Sequence, residues 1–510
     1  MVYLRVALAW LLLVPAILRA DVRLPAIIGD NMVLQRESDV PMWGWAAPGE
    51  KITVTLGEQK ATATADEKGK WMAHLKDLKA GGPHEVVIQG QNTITLKNVL
   101  VGEVWICAGQ SNMQAQMGWL GEKPDIAAAD NPQIRLFVTP IWLSPQPLEN
   151  VKGQWVVCTP QTVKALSAVG YYFGREIQDK TKVPVGMINT ASGGSTAQTW
   201  ISEGAFKGNE KLGGPADISS PNVKSFYDRL ESYQKARTEW ETAAAEAKVQ
   251  KKPAPPQPAS PLVGSGYPPS GTYNAMLAPI APYGVRGAIW YQGEANTGYP
   301  AIYAKVMSLL IDDWRRAFNR PEMPFLLVQL PAFNPDNVPP GNWAALREQQ
   351  VKITKDVPNT GMAVTIDVGD PKDIHPKNKK PVGYRLALVA LKNVYKKDLV
   401  SSGPTYDSMK VDGNRIRLTL GNIGGGLVTS DGKDVAGFTI AGADHVFVPA
   451  QAKIEGGQVI VWSDDVGDPQ AARYAWADYP TCNLANKEGL PAGPFRTDDW
   501  PLTRPTTRGR

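Results

Sequence analysis

The stretch Val104-Trp105-Ile106-Cys107-Ala108-Gly109-Gln110-Ser111-Asn112-Met113 decides the fold. Its first four residues form a continuous apolar run, the pattern of a parallel strand covered on both faces. Gly109 then permits a tight turn, which presents Ser111 at the carboxyl end of that strand. In open α/β sheets, ligands bind at those strand ends. Ser111 is therefore read as a nucleophile, and the other signals are weighed by whether they can serve it.

Outward from this strand the chain alternates between two periodicities. Residues 183–189 (VPVGMIN) read as a strand, preceded by a helix with apolar Val169, Tyr172, Phe173 and Ile177. Residues 285–291 read as another, followed by a helix carrying Val306, Leu310 and Trp314 on one face. Residues 325–330 and 362–366 complete the set. Strands separated by helices imply βαβ units and a mostly parallel sheet, so residues 101–400 are the expected catalytic domain.

The flanks differ. Residues 21–100 alternate with period two, as at Ile52, Val54 and Leu56, and read as an N-terminal β-sandwich that packs rather than catalyses. Residues 401–510 return to β character, with glycine-spaced segments at 415–420, 437–440, 445–448 and 458–462. Residues 203–272 interrupt the α/β pattern. They hold a helical segment with Phe226, Leu230, Tyr233 and Trp240, then the proline-rich run 253–261, which suits an extended spacer. This insertion is expected to be a peripheral hairpin rather than a lid. No repeat recurs at a fixed period.

Composition bounds the function. At about 150 residues per domain, 510 residues suggest three domains. Residues 1–20 read as a secretory signal, with Arg5 as the charged start, residues 7–18 as the apolar core and Ala20 at the cleavage site. The apolar segment falls short of the roughly 20 residues a membrane-spanning helix needs. A secreted or periplasmic protein without stable membrane insertion is expected. Losing Arg5 and Arg19 lowers the formal charge from +5 to +3, and no dense basic cluster exists, so nucleic acid is not an expected partner. Cys107, Cys158 and Cys482 are odd in number and lack C-x-x-C spacing, which argues against a zinc site or redox motif. Oligomeric state is left open.

Four strand ends carry polar residues. One holds Ser111; the second is the small-residue loop 189–195 (NTASGGS); the third runs from Trp290 to Asn296; the last is residues 367–376 (DVGDPKDIHP). A serine hydroxyl is a weak nucleophile until an imidazole takes its proton, and the imidazole needs a carboxylate to fix its tautomer. Of His74, His84, His375 and His445, only His375 follows a strand of the α/β region. Asp373 is the nearest carboxylate and Asp370 the alternative. An aspartate two residues before the histidine must bend back to reach Nδ1, which a loop permits. With Pro376 near its start, a helix is expected over residues 377–391, its amino end favouring a neutral imidazole. The glycine loop and Gln292 are expected oxyanion donors. Glu294 lacks the partner that a glycosidase pair requires. Arg347 is a weak candidate for substrate contact.

Gly109-Gln110-Ser111-Asn112-Met113, Trp290-Tyr291-Gln292-Gly293-Glu294 and Asp373-Ile374-His375-Pro376 resemble the signature blocks of the sialate O-acetylesterase family, within the SGNH hydrolases. Residues 28–35 (IGDNMVLQ) and 493–497 (GPFRT) resemble that family's two ends. The resemblance spans nearly the whole mature chain outside residues 203–272. It implies a three-layer α/β/α hydrolase domain of flavodoxin-like type with accessory β-domains, and no cofactor or metal. By position it implies Ser111 as nucleophile, His375 as base and Asp373 as its partner. The Ser111 N–H, the Gly194 N–H and the Gln292 side chain match the oxyanion hole. Gln292 stands where the wider superfamily has asparagine, which leaves Gln292, Glu294 and Asn296 in competition for that role. The Asp-x-His spacing, where Asp-x-x-His is common, keeps Asp370 open. The family often has tryptophan where Ser192 stands.

The implied activity is removal of O-acetyl groups from a sugar, with sialate as first substrate and acetylxylan or another acetylated polysaccharide as the alternative. An expected sialate carboxylate would seek an arginine, for which Arg347 is the one candidate. A vestigial, carbohydrate-binding protein is the reading of a different class.

Overall fold

Strand β1, Thr93–Gly109, runs through two parts of the molecule. The computed structural model describes residues 21–209, 212, 221–259, 267–336 and 338–501; the expected signal segment lies outside them. The first half of β1 pairs antiparallel with Gly81–Gln89 and, at Leu100 to Gly102, parallel with Val33–Gln35. Gly81–Gln89 continues to Lys51–Leu56 and Gln59–Thr64, while Asp39–Trp45 pairs with Lys70–Lys76. Ile52, Val54 and Leu56 are buried and the residues between them are not, as their alternation predicts. From Val99 the strand is buried on both faces. The expected domain boundary at residue 100 thus falls inside one continuous strand.

The second half of β1 lies within a large mixed sheet. Its other members are β2 (Asn131–Val138), β3 (Trp155–Cys158), β4 (Val185–Ala191), β5 (Gly287–Tyr291), β6 (Phe325–Val328) and β7 (Thr360–Ala363), in the order β7-β6-β5-β1-β4-β2-β3. All pairs are parallel except β2 with the edge strand β3. From β1 the chain leaves for β2, returns to β4 on one side, then crosses to β5 on the other. This makes β1 the point where strand order reverses, and in open α/β sheets ligands bind at the carboxyl ends of the strands beside such a point. Helix α1 (Ala168–Thr181) packs on α5 (Lys380–Asn393), and α3 (Tyr303–Ala317) on α4 (Asn342–Asp356). On α3 the expected stripe of Val306, Leu310 and Trp314 is fully buried, Trp314 against Trp200 and Trp290.

After α5 the chain builds a second core from Ile416, Leu418, Phe438, Val459, Val461 and Tyr474, between two four-stranded sheets. Asp478 fastens this region to the catalytic sheet by accepting from the N–H groups of Gly341, Trp343 and Ala344 at the start of α4. In the insertion, helix α2 (Pro221–Val249) seats Phe226 and Leu230 against Leu143, and Trp240 Nε1 donates to Pro255 O at 2.7 Å, folding the proline-rich run back. Among the described residues no helix is long and apolar enough to cross a membrane.

Candidate active site

The ends of β4, β1 and β5 are level: Ala191 and Tyr291 both lie opposite Gly109. Gly109 adopts φ +133°, and a Cβ there would sit 2.2 Å from Tyr291 O, so no other residue fits. Gln110 N donates to Tyr291 O at 3.0 Å and Ser192 N to Gly109 O at 2.9 Å, fixing the turn from both sides. Ser111, half-buried, then opens the short helix Ser111–Gln114 beyond the strand end.

The side chains around Ser111 each tie down a different loop. Gln110 Oε1 accepts from Gly293 N and Ala295 N at 3.4 and 3.3 Å. Asn112 Nδ2 donates to Glu294 Oε1 at 2.6 Å and to Ile374 O at 3.0 Å. Gln114 Oε1 accepts from Gly193 N at 2.8 Å. Sequence reasoning treated these residues as part of a motif and missed their roles; polar residues every second position on a buried turn were the available signal.

Ser111 Oγ and His375 Nε2 are 2.8 Å apart, a hydrogen bond between hydroxyl and imidazole. Asp373 Oδ1 lies 3.8 Å from His375 Nδ1 and accepts from the His375 backbone N–H at 2.8 Å. Asp370 is turned away, its Oδ1 accepting from Lys372 N and Asp373 N. Of the two aspartates, Asp373 is the one beside the ring, and Asp370 is a turn residue. The expected helix start is corrected: α5 begins at Lys380, with Pro381 in its first turn, so His375 stands five residues outside it. What holds the imidazole below its ordinary range is burial first, then the Lys379 ammonium, opposed by Asp373. Burial and the ammonium both favour the neutral form of the imidazole.

The oxyanion candidates separate. Gly194 has φ +75°, and its N–H has no acceptor among the described residues. Gln292 is a correction: it is 0 % exposed, and Nε2 already donates to Ser195 O at 3.1 Å and Asn296 Oδ1 at 2.8 Å. Both amide protons are committed, so it braces the loop and has no donor left for an oxyanion. Asn296 is likewise internal, accepting from Ala197 N and donating to Gln198 Oε1. Glu294 is buried on Asn112, and burial raises its carboxyl. Arg347 is corrected too. It is 1 % exposed, and its guanidinium donates to the carbonyls of Leu330, Pro331, Ala477 and Asp478, bolting α4 to the C-terminal region instead of meeting substrate.

The insertion reaches this corner. Tyr267 donates its hydroxyl to Gly193 O at 2.7 Å, and the Ser192 hydroxyl lies 3.0 Å from it. A peripheral hairpin was the expectation; its returning end instead packs on the loop that carries Gly194. Cys107, Cys158 and Cys482 are free thiols. Among the described residues no cluster of histidine, cysteine and carboxylate side chains has the arrangement of a metal site.

Residues 101–240 and 267–392 match the family described as "Carbohydrate esterase, sialic acid-specific acetylesterase". The chain belongs to that family. It is 30% identical to the human sialate O-acetylesterase over 95% of each chain, and 28% identical to the mouse protein over 93% of this chain and 94% of that one. Among solved structures it is similar to a carbohydrate acetylesterase from Xanthomonas citri, with 35% identity, a TM-score of 0.79, and coverage of 94% of this chain and all of that one. It is therefore an enzyme, a carboxylic ester hydrolase of the carbohydrate esterases. The match skips residues 241–266, within the insertion whose end braces the Ser192–Gly194 loop.

Proposed function

We propose that this carbohydrate esterase removes O-acetyl groups from sialic acid through a Ser111–His375–Asp373 acetyl-enzyme mechanism. The observation that carries the reading is the 2.8 Å contact between Ser111 Oγ and His375 Nε2. The names of its relatives supply the substrate. His375 takes the Ser111 proton as Oγ bonds to the acetyl carbonyl carbon, whose oxygen gains the electron pair. The Ser111 and Gly194 N–H groups hold that oxyanion, each donor contributing about 10²–10³ in rate. The tetrahedral species collapses, the ester C–O bond breaks, and His375 protonates the departing sugar oxygen. Water then gives His375 a proton and attacks the acetyl-serine; acetate leaves and Ser111 regains its proton. Asp373, bent back by its bond to the His375 N–H, steadies the imidazolium.

We also assign the sheet and its two helix pairs to an SGNH-type three-layer domain over residues 101–400, flanked by accessory β-domains at 21–100 and 401–510. The chain is assigned to export on the strength of its amino-terminal segment. With Arg347 spent on carbonyls, the exposed Lys372 and Lys377 on either side of His375 are cations available to a sialate carboxylate. The test is acetate release from O-acetylated sialic acid, acetylated xylan and an aryl acetate. Wild type releases acetate from the sialic acid, and Ser111→Ala loses at least about 10⁴-fold. Retained activity in Ser111→Ala overturns the mechanism, and turnover of xylan alone reassigns the substrate to a polysaccharide.

A further inference from the structure

Behind Ser111 and His375 lies a polar chain that the mechanism does not use. Lys379, four residues after His375, is 1 % exposed. Its ammonium donates to Asn112 Oδ1 and lies 5.4 Å from the centre of the Tyr291 ring. Asn112 is completely buried and spends its own N–H groups on Glu294 Oε1 and Ile374 O. Glu294 Oε2 is buried without a hydrogen-bond partner among the described residues. A lysine and a glutamate are thus held in the interior, bridged by one amide, which joins the residue after the nucleophile to the peptide before the base.

Such an arrangement is costly. Removing a charge from water is repaid only in part by a counter-charge, and apolar residues of the same size often serve stability as well. Burial pulls the Lys379 ammonium down to about 8, with Glu294 and Asp373 opposing. The charged groups acting on the imidazole are Asp373, from its own loop, and Lys379, from the start of α5; Ser111 faces it from the turn, and Glu294 lies behind Asn112. His375 lies five residues outside α5, and the cation acting on it is Lys379.

We propose that Lys379 is a positioning residue for the base: through Asn112 its ammonium anchors the Ile374–His375 peptide to the nucleophile's turn and places a buried cation behind the imidazole. The assignment rests on the Ser111–His375 reading above. A neutral imidazole accepts the serine proton at mildly acidic pH, and the imidazolium then formed beside a fixed cation is the readier donor to the sugar oxygen.

The test is the pH profile of kcat/KM for acetate release by Lys379→Met, run with Ser111→Ala as the control for the mechanism. Because a lone change leaves Glu294 buried without its counter-charge, the double variant Lys379→Met/Glu294→Gln removes both charges at nearly constant shape. Thermal unfolding reports which variants are folded. In a folded variant the acidic limb moves up by about 1 pH unit. kcat falls about tenfold or more with KM within about twofold, since Lys379 does not touch substrate and a small displacement of the base is enough. An acidic limb that stays in place in the folded double variant overturns the inference, whatever happens to kcat. If Ser111→Ala is inactive at the same time, the Ser–His mechanism survives that failure.

Discussion

The two loops that meet at the Ser111–His375 bond are built in opposite ways. The turn after β1 is made by backbone: a glycine with φ +133°, strand ends in register, and two main-chain hydrogen bonds that hold it between β4 and β5. The loop before α5 is held by side chains. His375 keeps 49% of its side chain exposed, and its place is set by Asp373, by the Asp370 turn, and by the Asn112–Lys379 link beneath. A nucleophile at a sheet's switch point inherits its position from the fold. A base on a loop must be positioned by side chains.

Substitutions that separate backbone from side-chain control sharpen that contrast. The largest effect is expected on the base loop: Asp373→Ala lowers kcat by about 10²–10⁴, whereas Asp370→Ala, which removes only turn bonds, costs about tenfold or less. Equal losses would show that the loop acts as one unit and that the 3.8 Å contact has no special role. On the nucleophile's side, Gly109→Ala must relieve both a 2.2 Å clash and a positive φ. A loss of roughly 3 kcal/mol in unfolding free energy is expected, read by denaturant titration. A stable, active Gly109→Ala would mean that the turn is softer than its hydrogen bonds imply.

A smaller effect tests the third corner. Tyr267→Phe deletes the hydroxyl that meets Gly193 O and Ser192, loosening the loop of Gly194 by about 1 kcal/mol. kcat should fall about fivefold while the acidic limb of the profile stays in place, because no charge near His375 changes. The smallest effect is in wild type. Since burial and Lys379 lower His375, the base form persists below the usual imidazole range, and the acidic limb of kcat/KM should lie below about 6.5. A limb above that value would mean that Asp373 outweighs burial and Lys379 together in the working enzyme.

Much of this was legible in the chain. The continuous apolar run before Ser111, the buried stripe of α3 and the alternation of Lys51–Leu56 are local patterns, which depend on neighbours along the sequence. Strand limits moved by one to three residues, as at β4, expected over 183–189 and found at Val185–Ala191, and β7, expected over 362–366 and found at Thr360–Ala363. The later start of α5 mattered more, because it left Lys379 just before the helix, where its ammonium acts on His375. Gln292 and Arg347 were misjudged for one reason: their type announces donors, and only the fold reveals who accepts.

The sequence alone determined that a serine follows a buried strand, that one histidine follows another, and that β-rich regions flank an α/β core. These follow from local hydrophobic period and turn chemistry, which need no distant partner. Tertiary structure decided which polar groups meet at Ser111 and which are spent inside. Gln292, Asn296 and Arg347 went to bracing, and Lys379 and Asn112 went beneath the Ser111–His375 pair, because a buried donor must find an acceptor and that acceptor can lie hundreds of residues away.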